Sequence, residues 1–128
     1  MTLTRHRILY VEDHPDTCEM VTTMLGLLNF EVSVAHTAVE GLALAQRVPF
    51  HLYLLDARLP DKSGLELCRE LRALHPTIPV VFISGQAYEH HRQQALTAGA
   101  QAYLIKPITA EELKQAVFQV LGSQEHAV

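Results

Sequence analysis

Five short apolar runs, RILYV at 7–11, EVSVA at 31–35, HLYLL at 51–55, PVVFI at 79–83 and AYLI at 102–105, recur at fairly regular spacing along the 128-residue chain. Each is too short for a buried helix and rich in the residues that suit strands. The segments between them carry a helical period instead. Leu113, Ala116, Val117, Val120 and Leu121 follow i, i+3, i+4, i+7, i+8; Leu67, Cys68, Leu71 and Leu74 do so earlier, and Ala38, Leu42 and Ala45 more weakly. Near-continuous apolar strands alternating with helices imply a parallel sheet covered on both faces. Right-handed crossovers then leave few topologies.

Local signals mark the helix ends. Thr37/Glu40, Ser63/Glu66 and Thr109/Glu112 fit the capping box, in which a hydroxyl accepts from an orphan N–H and the glutamate reaches back to the cap. Pro15 suits a first turn, a fourth helix is expected at about 88–98, and Gly122 reads as a stop after the last apolar position. These signals predict one domain over 5–121, flexible termini at 1–4 and 122–128, and no output domain among these residues. Single domains commonly run to roughly 100–150 residues.

Composition narrows the function classes. With 48% hydrophobic and 19% charged residues the chain can build a core. A formal charge of -4 and no Lys/Arg run give it no nucleic-acid footprint, so no direct nucleic-acid contact is expected. No apolar run approaches the roughly 18–20 residues that span a bilayer, and MTLTRHR leads into a strand rather than a signal-peptide core. The expectation is a cytoplasmic protein without membrane contact. Cys18 and Cys68 have neither metal-knuckle nor redox-pair spacing, and the eight histidines include no i, i+4 pair.

In an open parallel sheet, ligands bind beyond the carboxyl ends of the strands. Just past those ends stand Glu12 and Asp13, then Asp56, then Ser84 and Gly85, then Lys106 and Pro107. If the first and third strands are neighbours, three carboxylates share a crevice and need a compensating cation. A few oxygen ligands with room for water suit Mg²⁺, with Mn²⁺ as the alternative. A carboxylate beside a metal, a lysine and a hydroxyl can accept a phosphoryl group, the cations neutralising the charge on the transferring oxygens. The Ser84 O–H and the N–H groups of Ala57, Arg58 and Gly85 complete the donors, glycine at 85 allowing close approach.

Singly, these residues have plainer readings. Glu12 and Asp13 would be a helix-start pair favoured by the helix dipole, Ser84 a turn residue, Lys106 a solvated lysine and Tyr103 a packed aromatic. Their joint placement at matching strand ends favours a site.

ILYVEDHPD, LLDARLPDKSG, VFISG and AYLIKP, in that order, closely resemble the receiver domain of bacterial two-component response regulators, over about residues 5–121. The resemblance implies a flavodoxin-like, doubly wound five-stranded parallel sheet of order 2-1-3-4-5 with helices on both faces. It implies Asp56 as phosphoacceptor, Asp13 as direct metal ligand and Glu12 as the acidic partner that holds the metal through water. Asp56 and the Arg58 carbonyl are further metal contacts, and Lys106 meets the phosphoryl group ahead of a Lys106–Pro107 bond that is commonly cis. Ser84 and Tyr103 match a hydroxyl and aromatic switch pair. The implied partners are a histidine kinase or histidine phosphotransfer protein and a downstream output domain or protein. The implied chemistry is self-phosphorylation from the donor and autodephosphorylation, not enzymatic turnover of a separate substrate.

Departures from the family pattern are local. Glutamate at 12 replaces the commoner aspartate and lengthens the arm; serine at 84 replaces the commoner threonine and keeps the donor. Arg58 and Gln86 stand where family members vary and tune phosphoryl lifetime. Gln101 and Ala102 replace the acidic residues of receivers that dimerise through their fourth helix, fifth strand and fifth helix, leaving open only a weak dimer. On the first helix Met20, Thr23 and Leu27 line up beside the core set Val21, Met24, Leu25 and Leu28, a stripe at which the resemblance places the phosphohistidine partner. Two alternatives stand beside this reading. One is a receiver excised from a larger DNA-binding regulator or hybrid histidine kinase. The other is a haloacid-dehalogenase-like phosphatase, which would carry an aspartate where Arg58 stands.

Overall fold

The apolar runs are strands in the computed structural model, which describes residues 5–125 and side chains through 122. Strands β1 (Arg7–Val11), β2 (Glu31–Ala35), β3 (Leu52–Leu55), β4 (Val80–Ser84) and β5 (Ala102–Ile105) form one parallel sheet ordered β2-β1-β3-β4-β5, as expected. Helices α1 (Pro15–Leu27), α2 (Ala38–Arg47), α3 (Gly64–Leu74), α4 (Glu89–Thr97) and α5 (Ala110–Glu125) alternate with them. The register sets Val11 beside both Ala35 and Leu55, and Ser84 beside Ile105, while Leu55 lies beside Phe82, so β2, β1 and β3 end level and β4 and β5 run two residues further.

Period-two alternation sorts the strand residues into two cores. Leu9, Val11, Tyr53, Leu55 and Phe82 pack under Ala45 of α2, Leu67 and Leu71 of α3 and Ala95 of α4. Ile8, Tyr10, Leu54, Val81 and Ile83 pack under Val21 and Leu25 of α1 and Leu113 and Val117 of α5. Each fully buried large apolar side chain contributes ~1.5–3 kcal/mol. Cys18 and Cys68 are buried free thiols in separate cores, which rules out an intramolecular bond between them. No helix of the described residues is long and apolar enough to cross a membrane.

Two local expectations need correction. Gly122 does not stop α5, which continues to Glu125. A helical glycine costs only about 1 kcal/mol relative to alanine, too little to end a helix anchored by the buried Val117 and Leu121. Residues 1–4 and 126–128, expected to be flexible, lie outside the described residues. The reciprocal capping box forms at Thr109, whose hydroxyl accepts from Glu112 N (3.0 Å) while its own N–H donates to Glu112 Oε1 (3.0 Å). Thr37 and Ser63 accept from Glu40 N and Glu66 N, but the Glu40 carboxylate turns instead to the N–H of His36, one residue before the cap.

The β3–α3 loop is pinned at three points. Asp61 reaches α2 and accepts from the free N–H groups of Ala38 (2.8 Å) and Val39 (2.9 Å). Arg58 and Ser63 form an isolated antiparallel bridge. Gly64 N donates to Ala57 O at 2.8 Å, and a Cβ at Gly64 would overlap the Asp56 carbonyl oxygen and lie 2.9 Å from Ala57 Cα. Those are backbone atoms of the central strand's end and cannot give way. Gly64→Ala is therefore expected to cost about 2–3 kcal/mol, measured as a lower urea midpoint at unchanged m-value.

Candidate functional site

Two backbone bonds carry the β-ladder one residue past the strands, Glu12 N to Ala35 O (2.9 Å) and Asp56 N to Val11 O (3.1 Å). Because β1 and β3 are neighbours, Glu12, Asp13 and Asp56 offer carboxylate oxygens within 4.8 Å of one another. No other trio of His, Cys, Asp or Glu that could hold a metal occurs among the described residues, so the histidines assemble no such site. Glu12 is fully buried, Asp56 nearly so, and Asp13 faces solvent.

Lys106 comes from the far side of the sheet, its N–H bonded to Ser84 O (2.8 Å) just beyond β5, and the Lys106–Pro107 bond is cis. Its ammonium sits 2.8 Å from Glu12 Oε1 and 3.3 Å from Asp56 Oδ2. The other Asp56 oxygen accepts from Arg58 N at 3.3 Å, while the Arg58 side chain is exposed. Burial, and then the neighbouring Glu12, hold the Asp56 carboxyl above the ordinary range; Lys106 and the Arg58 N–H oppose this without cancelling it. Burial alone would lower the Lys106 ammonium, but its bond to Glu12 and the charges of Asp56 and Glu12 outweigh that and raise it. Three carboxylates against one ammonium leave negative charge uncompensated. An all-oxygen donor set open to water at Asp13 fits Mg²⁺.

On the rim, Ser84 is fully buried and its Oγ accepts from Gln86 N at 3.1 Å. The Tyr103 hydroxyl donates to Gln86 O at 2.6 Å, its half-buried ring stacked 6.0 Å from Phe82. Ser84 and Tyr103 thus hold one loop residue from its two backbone ends. Gly85 is exposed and a Cβ there would meet no protein atom within 4 Å, so its bareness opens the rim rather than relieving a contact. Ala57 is buried beneath the loop.

Several participants escaped the sequence reading. The buried Tyr10 hydroxyl donates to Glu12 Oε1 at 3.1 Å, and His14 N donates to Glu12 Oε2 at 3.3 Å. The Glu12 carbonyl accepts from Cys18 Sγ (3.2 Å) and lies 3.0 Å from His36 Nδ1. Strand alternation puts Tyr10 and Glu12 on one face, a signal that was available. His36, twenty-four residues away, carried no local signal.

A family model described as the response regulator receiver domain matches residues 8–118. The response regulator protein PilR of Pseudomonas aeruginosa is 36% identical over 119 residues, which cover 93% of this chain and 27% of that protein. The chain spans about half or less of the length of such curated relatives. Among solved structures, a response regulator receiver domain protein (CheY-like) from Methanospirillum hungatei JF-1 superposes with TM-score 0.92 at 33% identity, covering 98% of this chain and 100% of that one. The receiver domain of a sensor histidine kinase from Pseudomonas aeruginosa PAO1, with a magnesium ion coordinated in its active-site cleft, is 29% identical at TM-score 0.86, covering 93% of this chain and 99% of that one.

The raised Asp56 carboxyl has a consequence for stability. The folded chain binds this proton more tightly than the unfolded chain, so stability falls as pH rises through the window above the ordinary carboxylate range. Without metal, Asp56→Asn should melt roughly 3–6 °C above the unsubstituted chain at neutral pH, the shift that ~1 kcal/mol makes in a domain of this size. The gap should close as pH falls through that window, measured by calorimetry in EDTA.

Proposed function

Because the chain belongs to the response regulator receiver family, we propose that it takes a phosphoryl group on Asp56 from a phosphohistidine and signals through the surface change that follows. One observation carries this reading: the Asp56 carboxylate ends a central strand 3.3 Å from the Lys106 ammonium, with Glu12 and Asp13 oxygens within reach of a shared cation. An Asp56 oxygen attacks phosphorus, the P–O bond forming as the P–N bond breaks. The electron pair stays on the ring nitrogen, and a proton on the ring's other nitrogen leaves a neutral histidine on the donor.

Lys106 contributes fixed positive charge, and the Ser84 O–H with the N–H groups of Ala57, Arg58 and Gly85 contributes neutral donors to the developing oxyanions. Bound by Glu12, Asp13, Asp56 and the Arg58 carbonyl, Mg²⁺ or Mn²⁺ would neutralise charge on the transferring oxygens. Drawing the Ser84 hydroxyl towards a phosphoryl oxygen frees the Gln86 N–H and loosens the residue that Tyr103 holds by its carbonyl. Only Ala95 of α4 is buried, so the segment between β4 and β5 moves at low cost and can bias a two-state surface.

The proposed donor is a histidine kinase or histidine phosphotransfer protein in the cytoplasm, docking on α1, where Met20 and Leu27 are 38% and 83% exposed. The readout is an output domain or separate protein. A receiver within a larger DNA-binding regulator or a hybrid kinase fits the partial coverage of the relatives.

Incubation with acetyl phosphate and Mg²⁺ should add one phosphoryl mass, absent in Asp56→Asn and in EDTA; an adduct that survives in Asp56→Asn defeats the assignment. Met20→Lys combined with Leu27→Glu should slow transfer from a phosphohistidine protein roughly tenfold, equivalent to ~1.4 kcal/mol, while labelling by acetyl phosphate stays unchanged. Equal loss from both donors would remove α1 as the docking face.

A further inference from the structure

Glu12 is a longer-armed residue held without exposure in a site whose other carboxylates are aspartates. Its extra rotatable bond would let the carboxylate swing, yet Oε1 receives both the Tyr10 hydroxyl (3.1 Å) and the Lys106 ammonium (2.8 Å). These two donors differ in what can move them. Lys106 is shared with Asp56 and its side chain is 23% exposed, so new negative charge at Asp56 can draw it away. Tyr10 is fully buried in the core beside Val21 and Leu25, and cannot follow.

We propose that Tyr10 is a positioning residue of the metal site: its hydroxyl fixes the Glu12 carboxylate beneath Asp13 and Asp56 and keeps it there when Lys106 is drawn off. The inference rests on the Mg²⁺ reading above. Pre-orienting the longer arm removes the ordering cost that metal binding would otherwise meet, so a glutamate presents its oxygen as an aspartate would. A shorter aspartate at 12 would withdraw its carboxylate from the phenol, uncoupling Tyr10 from the metal.

Calorimetric titration of the full chain with Mg²⁺ alone tests this in a double-mutant cycle. Tyr10→Phe should weaken binding about tenfold, the lower end for outer partners of metal ligands. Glu12→Asp serves as the second background: whatever its own Mg²⁺ affinity, Tyr10→Phe there should change affinity less than about twofold. A core-filling role alone would shift the melting temperature in EDTA and leave Mg²⁺ affinity in place. If Tyr10→Phe does not fold, the Tyr10 Cζ resonance of the unsubstituted chain supplies the reading. It should shift on Mg²⁺ addition while that of Tyr53, in the other core, stays put; an unmoved Tyr10 signal overturns the inference. Unchanged Mg²⁺ affinity in Tyr10→Phe, or equal loss in both backgrounds, overturns it and leaves the metal reading standing. Absence of Mg²⁺ binding by the unsubstituted chain overturns both.

Discussion

A parallel sheet buried on both faces leaves the middle of its strands no place for charge, which is confined to their ends: Arg7 and Glu31 pair at the amino ends of β1 and β2, and the carboxylate cluster stands past the carboxyl ends. In β3 and β4 every residue is buried, and an ion within either would cost several kcal/mol in lost hydration. The register sets Val11 beside Leu55, so the first residues past those two carboxyl ends, Glu12 and Asp56, emerge side by side. Lys106 follows β5, which ends level with β4 and two residues past β3, and its long side chain reaches back to them. The carboxylate cluster is thus a consequence of strand order and register before it is a matter of side-chain choice.

Crowding then sets the chemistry. Burial and mutual repulsion hold Asp56 above the ordinary carboxyl range, and one ammonium spans Glu12 and Asp56 without balancing the trio. An incoming cation therefore meets a site already organised for positive charge and competes with Lys106 for the same oxygens. Glu12 is held from beneath by β1, from α1 by Cys18 and from the β2–α2 side by His36. That makes it the most constrained member of the cluster and Asp13 the most accessible.

Much of this was legible in the sequence, for physical reasons that differ by residue. The strands could be read because burial on both faces demands runs of apolar residues, and Asp56 because a bare carboxylate breaks such a run. The strand order followed from the resemblance rather than from any local pattern, since neighbouring strands are set by contacts distant in sequence. Tyr10 stayed hidden because a tyrosine in an apolar strand is ordinary; only its period-two relation to Glu12 hinted at more. Asp61 stayed hidden because its partners lie 22 and 23 residues back, beyond any capping pattern. Gly122 misled because its local stop signal is weaker than the anchoring of the helix around it.

The loop after β3 and the loop after β4 face each other across Asp56 with unlike stiffness. One is wedged by Gly64 against the Asp56 backbone and tied by Asp61 to α2. The other leans on Gln86 and leads into a helix with a single buried residue. The crevice is therefore built like a vice with one fixed jaw. Under the phosphoryl transfer proposed above, work done at Asp56 would pass to the looser side, giving the motion a direction towards α4 and β5.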